Sequence, residues 1–194
     1  MGKAGDVGFE ARVRELVQDH PRRRAVIEAL LRVRAALVAE YDVLHRMVLA
    51  AARKDAACRR LMTIPGVGPV VALTFRCAVD VPSRFAKSRL VGAHFGLTPR
   101  KYQSGEKDIS GRISRCGDAM AREALYDAAN VMLTRTNSWS TLKAWAMRVA
   151  RRRGLKRAKV ALARRLAVVM HSLWVRDADF RWGRQSAGGI EAAA

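Results

Sequence analysis

The sequence predicts a mostly α-helical protein in which a long, coiled-coil-like helix precedes a compact helical domain that contains a helix-hairpin-helix. Residues 22–59 contain neither glycine nor proline, which favours one long helix. The strict alternation of apolar and polar residues that marks a strand is scarce along the chain. Apolar residues make up 50% of the sequence, enough for a compact core. The predicted organisation is a leader with a short helix at 1–21, the long helix at 22–60, the helical domain at 61–182 and a disordered tail at 183–194.

An apolar stripe along the long helix is similar to the seam of a coiled coil. Its members recur at spacings of three or four residues, which places them on one helix face. Such a helix either packs on its own domain or pairs with another helix, and the sequence leaves both arrangements open. We expect a homo-oligomer that forms through residues 22–59. The stripe comprises Leu30, Val33, Leu37, Tyr41, Leu44 and Val48.

Glycine and proline divide the rest of the chain into shorter elements. The glycines between residues 101 and 117 favour an extended or looped segment. Asp118 suits the positive end of a helix that follows it, and Gly154 separates the last two helices. One helix is predicted to begin near Pro69. Four further helices are predicted at 88–95, 118–134, 139–153 and 155–175.

The charge of the chain is strongly one-sided, with 37 Lys and Arg against 17 Asp and Glu and a formal net charge of +20. A compact body of this charge repels itself, so it requires a polyanion, and nucleic acid fits better than an anionic membrane. Residues 128–176 hold twelve basic residues and no acidic one, which favours a phosphate-binding surface over a merely soluble one. We expect the interleaved Trp139, Trp145 and Trp174 to be core anchors. The basic residues predicted to bind DNA here are Arg151, Arg152, Arg153, Lys156, Arg157 and Lys159.

The cysteines and the N-terminus indicate a reducing cytoplasm. Cys58, Cys77 and Cys116 are odd in number, widely spaced and without nearby histidine, which argues against both a disulfide framework and a zinc site. Each is expected to be a small core residue. No apolar run is long enough to cross a bilayer, and residues 1–14 lack the apolar core of a signal peptide. We therefore expect neither a metal site nor a membrane partner.

The run from Ile64 to Pro69, which reads IPGVGP, has the form of a helix-hairpin-helix turn. Gly66 and Gly68 permit a sharp turn and a close approach to a phosphate. The helix that follows would direct its unpaired N–H groups and its positive end at that phosphate, so the contact would read the backbone and not the bases. The alternative is a plain tight turn between two helices.

A serine stands directly before a glycine at Ser104-Gly105, within a basic segment. A serine hydroxyl is a poor nucleophile until its proton is withdrawn or the charge of the transition state is stabilised. The segment contains no histidine, and His94 is the nearest one. By chemistry alone Ser104 is most simply a turn serine. The basic residues that could hold a phosphoryl group are Arg100, Lys101, Lys107, Arg112 and Arg115.

Taken in order, these motifs resemble the C-terminal domain of the bacterial insertion-sequence transposases that pair a RuvC-like DEDD domain with a catalytic serine, the recombinases described as bridge-RNA-guided. The likeness covers roughly residues 57–182, and the helix before them resembles the coiled-coil connector of that family. The ordered series is far more specific than any one motif. The matching residues are Ile64 to Pro69, Gly96 to Pro99, Ser104-Gly105, Gly111 to Arg115, Gly117-Asp118, Arg122, Leu125, Trp145 and Lys156 to Ala161.

In that family the serine attacks DNA and forms a covalent phosphoserine link, together with metal-binding carboxylates of a DEDD domain from a partner subunit. The resemblance therefore implies that Ser104 is the nucleophile and that Mg²⁺ is needed only with a partner DEDD domain. It also implies DNA as a partner, at transposon ends and target, and raises the option of a guide RNA. His94, Lys107, Ser110 and Ser114 are expected to structure the loop or to position phosphate.

The acidic residues of 1–60 depart from the family pattern. They fall along the predicted helices, and not at strand ends that could converge on a metal. We therefore expect the metal-binding half to be missing, as in a truncated or split transposase, an N-terminally degraded gene product or a fragment that begins at a later start codon. Such a chain would bind DNA but cleave poorly alone. Two other interpretations stay open. One is a non-catalytic DNA- or RNA-binding remnant that dimerises and regulates a full-length transposase, and the other is an unrelated helix-hairpin-helix or RNA-binding protein.

Overall fold

The computed structural model describes residues 3–104 and 107–182, and the predicted tail at 183–194 lies outside this range. Helices dominate it, which confirms the mostly α fold class. Among the described residues no helix is both long and apolar enough to cross a membrane. The elements are α1 (Lys3–Val17), α2 (Pro21–Lys54), α3 (Ala56–Leu61), α4 (Pro69–Val79), a 3-10 turn (Pro82–Arg84), α5 (Arg89–His94), β1 (Pro99–Ser104), β2 (Lys107–Ile113), α6 (Ala119–Thr134), α7 (Thr141–Arg153) and α8 (Leu155–Val175).

The first of two compact units, Met1–Met47, contains α1 and most of α2. The two helices run antiparallel, because Arg14 pairs with Glu28 at 3.0 Å while Arg34 pairs with Glu10 at 3.0 Å. Leu31 is buried in this unit. The helix of the leader, α1, spans Lys3–Val17 and is longer than the short helix that the sequence predicted there.

The predicted apolar stripe lies exposed along α2 from Leu30 to Leu44, whereas Val48 at its end is half-buried. Leu30, Leu37 and Leu44 are 59%, 66% and 60% exposed, and Val33 and Tyr41 are similarly open. A large aliphatic or aromatic side chain left in water forgoes roughly 1.5–3 kcal/mol of burial. A row of such residues on one face is therefore typical of a helix that pairs with another surface.

The predicted helix at 22–60 is interrupted in the structure, where α2 ends at Lys54 and α3 begins at Ala56. The break occurs at Asp55, which has extended backbone angles and whose carboxylate accepts the amide hydrogen of Cys58 at 2.8 Å. An aspartate in this position satisfies a free N–H of a new helix, which stabilises a start there. The prediction of one unbroken helix was wrong because it relied on the absence of glycine and proline alone.

In the second unit, Val48–Ala194, the helices α3, α5, α6 and α7 pack against α8, and α4 packs against α6 and α3. Buried residues of α8 recur at spacings of one, three and four, so that one side of the helix faces the core. Phe75 of α4 and Phe95 meet edge to face at 5.8 Å within this core. The buried residues of α8 are Ala158, Leu162, Ala163, Leu166, Ala167, Met170 and His171.

His171 ties the loop before α5 to α8. Its Nε2 donates to the carbonyl oxygen of Pro82 at 2.9 Å, since a carbonyl can only accept, and its Nδ1 lies 3.0 Å from the Ser88 hydroxyl. The ring is buried and meets Phe85 edge to face. Both polar atoms of a buried histidine are thereby satisfied.

Two expectations about packing were wrong. Cys58 is buried, but Cys77 and Cys116 are exposed. Cys77 lies on α4, whose buried positions are Ala72, Phe75 and Val79, so the helical period turns residue 77 outward. Trp139 is 63% exposed because it lies in the loop before the Ser140 cap of α7 and not on a helix face, whereas Trp145 and Trp174 do pack against the core.

Candidate nucleic-acid interface and serine site

Ser104 ends the first strand of a two-stranded antiparallel hairpin. Its backbone lies in register with Lys107, and Tyr102 lies in register with Ile109. The Ser104 side chain is exposed, and among the described residues it has no hydrogen-bond partner. Gly105, and the side chains of Lys107 and Ser110, lie outside the described part of the chain.

The strand period places Tyr102 on the same face of the hairpin as Ser104. Residues directly opposite share a face, so Ile109 belongs to it as well. Tyr102 and Ile109 are 68% and 59% exposed. Sequence analysis missed this apolar pair next to the serine, because the pairing that brings Ile109 beside Tyr102 depends on a register that the glycine pattern does not define.

The predicted basic residues of the hairpin have two kinds of environment. Lys101 and Arg112 are exposed on the strands. Arg100 is also exposed, but its guanidinium donates to the Ser114 carbonyl at 3.2 Å. Arg115 adopts a positive φ of 58°, and its backbone N–H donates to Gly96 at 3.1 Å. The first two are thus free to meet a phosphate, while Arg100 and Arg115 help to shape the base of the hairpin.

Arg122 of α6 holds the base of the hairpin. Its guanidinium donates to the carbonyl oxygens of Phe95 and Cys116, both at 3.2 Å. One side chain therefore joins the segments that enter and leave the hairpin. The sequence included Arg122 only as part of the resemblance, because the two carbonyls that it bridges lie 27 and 6 residues away.

His94 occupies the opposite end of the hairpin from the serine. It ends α5, and its ring packs edge to face on Phe85 and Phe95, with centroid distances of 5.2 and 5.3 Å. Strand rise separates Pro99 from Ser104 by about 16 Å. The geometry thus favours a packing role for His94, and Ser114 likewise is half-buried with its N–H donating to Thr98 at 2.9 Å.

The two hairpin glycines before α4 differ in their surroundings. Gly66 has a φ of +83°, and a Cβ there would lie 2.6 Å from the carbonyl oxygen of Ala128. Gly68 precedes Pro69, the first residue of α4, and a Cβ at Gly68 would meet nothing within 4 Å. Only Gly68 therefore has open space through which a phosphate could approach, while Gly66 provides close packing against α6.

The basic residues predicted in the last two helices gather around Gly154. Arg151, Arg152 and Arg153 end α7 and are exposed, and Gly154 reverses the chain with a φ of +83°. Lys156 and Arg157, also exposed, begin α8, where positive charge opposes the helix dipole. Lys159 follows half-buried. We call the exposed residues Arg151–Arg153, Lys156 and Arg157 the α7–α8 corner.

The predicted site residues thus occupy three places: the hairpin, the turn before α4 and the α7–α8 corner. The described residues contain no group of three or more His, Cys, Asp or Glu that could hold a metal ion. The hairpin and the α7–α8 corner both expose positive charge, and the turn before α4 offers the backbone N–H groups at the start of a helix. Both kinds of group suit a phosphate backbone.

Comparison with known proteins gives one matching family and four similar proteins. Residues 58–146 match the family described as Transposase IS116/IS110/IS902 family. We call the matched residues 58–146 the transposase domain. The chain is also 32% identical over 167 residues to the transposase for insertion sequence element IS1111A of Coxiella burnetii, covering 84% of this chain and 45% of that protein. It is 36% identical over 81 residues to the transposase for insertion sequence element IS1328 of Yersinia enterocolitica, covering 42% and 24%.

The transposase domain includes the turn before α4, the whole serine hairpin and α6, and ends within α7. The α7–α8 corner lies beyond it in sequence. The chain spans less than half the length of these curated relatives.

Proposed function

We propose that this chain is the serine-carrying part of a DNA transposase and that Ser104 attacks a backbone phosphodiester of DNA. The observation that carries the proposal is the position of Ser104, exposed at the end of β1 on a hairpin with Lys101 and Arg112. The transposase domain at residues 58–146 supports DNA as the substrate.

The chemistry is a phosphoryl transfer that conserves the ester. A bond forms between Ser104 Oγ and phosphorus, and the bond between phosphorus and the leaving sugar oxygen breaks. The serine proton passes to a base, and the leaving oxygen gains a proton. Lys101 and Arg112, exposed further along the same hairpin, would contact backbone phosphates that neighbour the one attacked. Attack by a second sugar hydroxyl on the phosphoserine then releases Ser104 and joins new DNA ends.

Activation of Ser104 needs groups beyond those that the described residues place near it. Among them no histidine or carboxylate hydrogen-bonds the serine, and no cluster fits a magnesium ion. Metal-binding carboxylates would come from a partner DEDD domain, and Mg²⁺ would supply Lewis-acid stabilisation there.

The remaining positive surfaces would hold DNA at the transposon end and the target. The α7–α8 corner offers five exposed cations around one turn of backbone. The open side of Gly68 and the N-terminus of α4 offer a second phosphate contact. A guide RNA would meet the same cations, since these contacts read phosphates and not bases.

Self-association through α2 would bring two copies of the serine hairpin into one complex. The support is the exposed stripe on α2. Two-ended DNA recombination needs more than one nucleophile, and pairing of two such helices would supply it.

A non-catalytic DNA- or RNA-binding role is the second candidate. It is favoured by one observation: the described residues place no general base beside Ser104. In that role the chain would dimerise, occupy element ends or guide RNA and regulate a full-length transposase.

One experiment separates the two roles. The chain is mixed with a DEDD-domain partner, Mg²⁺ and labelled element-end DNA, and covalent protein–DNA adducts are resolved on a denaturing gel. The native chain and Gln103→Ala, an exposed neighbour on the other strand face, are expected to form the adduct, and Ser104→Ala is not. Equal recombination by native and Ser104→Ala protein would exclude Ser104 as nucleophile. DNA binding without any adduct from the native chain would favour the regulatory role.

A further inference from the structure

Arg165 of α8 is held against Trp145 of α7. The guanidinium carbon lies 4.6 Å from the centroid of the indole ring. Trp145 is itself half-buried and packs against the core, so the indole is a fixed platform. Arg165 is likewise half-buried. A stacked guanidinium keeps its planar donors in one orientation, which lowers the entropy lost when it binds a ligand.

No acidic residue neutralises Arg165 in the described part of the chain. It has neither an ion pair nor a hydrogen bond there, and residues 128–176 contain no Asp or Glu. Burial, and then the positive charge of Arg148, lower the pKa of Arg165. The exposed Arg148 therefore lies near enough to the half-buried Arg165 for their charges to repel each other.

Arg76 provides an internal comparison. It stacks on Trp174 with a guanidinium-to-centroid distance of 4.8 Å, much like Arg165 on Trp145. Arg76, however, also lies 3.6 Å from the carboxylate of Asp55. The same stacked arrangement therefore occurs with an internal anion at Arg76 and without one at Arg165. The site at Arg165 therefore lacks a neutralising anion, and a bound ligand would supply one.

Arg148 is placed to share that anion. It follows Trp145 by three residues on α7, so both lie on one face of the helix. Arg152, four residues further and about 6 Å along the helix axis, continues the same face towards the α7–α8 corner. Arg148 and Arg165 therefore lie at one end of a row of cations that continues through Arg152 to the α7–α8 corner.

We propose that Arg148 and Arg165 together bind one backbone phosphate of the nucleic acid, with Trp145 holding Arg165 in place. The inference rests on the proposed nucleic-acid function and adds a site that the predicted residues of the α7–α8 corner do not include. Two planar guanidiniums around one phosphate provide several charge-assisted hydrogen bonds, and the phosphate removes their mutual repulsion.

The first test measures binding to a DNA duplex over a series of salt concentrations. Arg165→Gln is expected to lose affinity about tenfold, as for one charge-assisted contact, and to reduce the salt slope by about one. Arg176→Gln, which removes an exposed charge at the other end of α8, should change neither. Arg165→Lys should keep most of the slope but lose affinity, since an ammonium cannot replace the stacked fork. The double variant Arg148→Gln/Arg165→Gln should lose little more than either single variant, because both contact one phosphate.

The second test measures thermal unfolding with and without inorganic phosphate. Without phosphate, Arg165→Gln should melt no lower than the native chain, because it removes a half-buried charge that no acidic residue neutralises. Added phosphate should raise the melting temperature of the native chain and not that of Arg165→Gln. An RNA duplex of the same length serves as a second ligand, and an equal loss on both duplexes is expected for a backbone contact.

The outcomes distinguish this site from the proposed function. If the native chain binds DNA in a salt-dependent way and both Arg165→Gln and Arg176→Gln lose this binding equally, the phosphate site at Arg148 and Arg165 is overturned. The DNA-binding role would then still stand. In another outcome, phosphate stabilises the native chain but not Arg165→Gln, and the native chain binds neither duplex. That result would support the anion site and overturn the nucleic-acid role.

Discussion

Gly66 lies against Ala128 of α6, so closely that a Cβ at Gly66 would be 2.6 Å from the Ala128 carbonyl oxygen. Its φ of +83° also lies in the region that disfavours side chains. The turn before α4 is therefore fastened to the core at Gly66 and open at Gly68, although the two glycines look equivalent in the sequence.

Gly66→Ala is expected to destabilise the chain by about 2 kcal/mol or more, because it combines a strained φ with overpacking against backbone. Urea denaturation followed by circular dichroism measures the change. Gly68→Ala is the matched control, since its added Cβ meets nothing within 4 Å and its φ is −92°. Equal stability of the two variants would contradict the packing role of Gly66.

The contrast between these glycines shows what local pattern could predict. The positions of α6 and α8 followed from local signals: Asp118 caps α6 through the amides of Met120 and Ala121, at 2.8 and 3.1 Å, and Gly154 separates α7 from α8. The contact of Gly66 with α6 joins residues far apart in sequence, and no local pattern encodes it. The break at Asp55 was locally visible as a capping aspartate, but the uninterrupted helical period around it hid the signal.

The three cysteines should differ in their reactivity. Burial, followed by the nearby Asp55, raises the pKa of Cys58 to about 12, whereas Cys77 and Cys116 are exposed. The thiolate is the reactive form, so at about pH 8 a disulfide reagent such as DTNB should label only the two exposed thiols of the folded chain. The third should react after denaturation in guanidinium chloride. Cys58→Ala should leave the native titre unchanged, and a native titre of three would contradict the burial of Cys58.

The exposed stripe of α2 predicts self-association. Leu37, 66% exposed at the middle of the stripe, is the position at which a charge should be most disruptive. Leu37→Glu should shift the chain from an oligomer to a monomer in sedimentation equilibrium, because a carboxylate cannot be buried in an apolar seam without a partner. Ala39→Glu adds the same charge at an exposed position away from the stripe and should not change the assembly. A monomeric native chain at all concentrations would refute the pairing.

The candidate site was only partly visible in the sequence. Ser104 and its basic flanks were identifiable because they are adjacent in the chain. The stacking of Arg165 on Trp145 joins two helices, and the sequence showed only that both residues lie in a basic segment. Charge content therefore indicated a polyanion, while the tertiary contacts distinguish Arg76, which has an internal carboxylate, from Arg165, which has none.

Arg122→Met should loosen the serine hairpin without unfolding the chain. The variant keeps a long apolar stem but loses the hydrogen bonds to Phe95 and Cys116, which together contribute on the order of 1–3 kcal/mol. The amide hydrogens of Ser114 and Arg115, which bond to Thr98 and Gly96 at the hairpin base, should exchange faster with deuterium.

Arg135→Met is the control for this variant. Arg135 is exposed in the loop after α6, and among the described residues its side chain has no hydrogen-bond partner, so the same charge loss should leave exchange at the hairpin unchanged. If Ser104 is the nucleophile, Arg122→Met should also lower adduct formation while DNA affinity stays close to native, because the serine is present but its strand is less well fixed. Unchanged exchange at Ser114 and Arg115 would show that Arg122 does not anchor the hairpin.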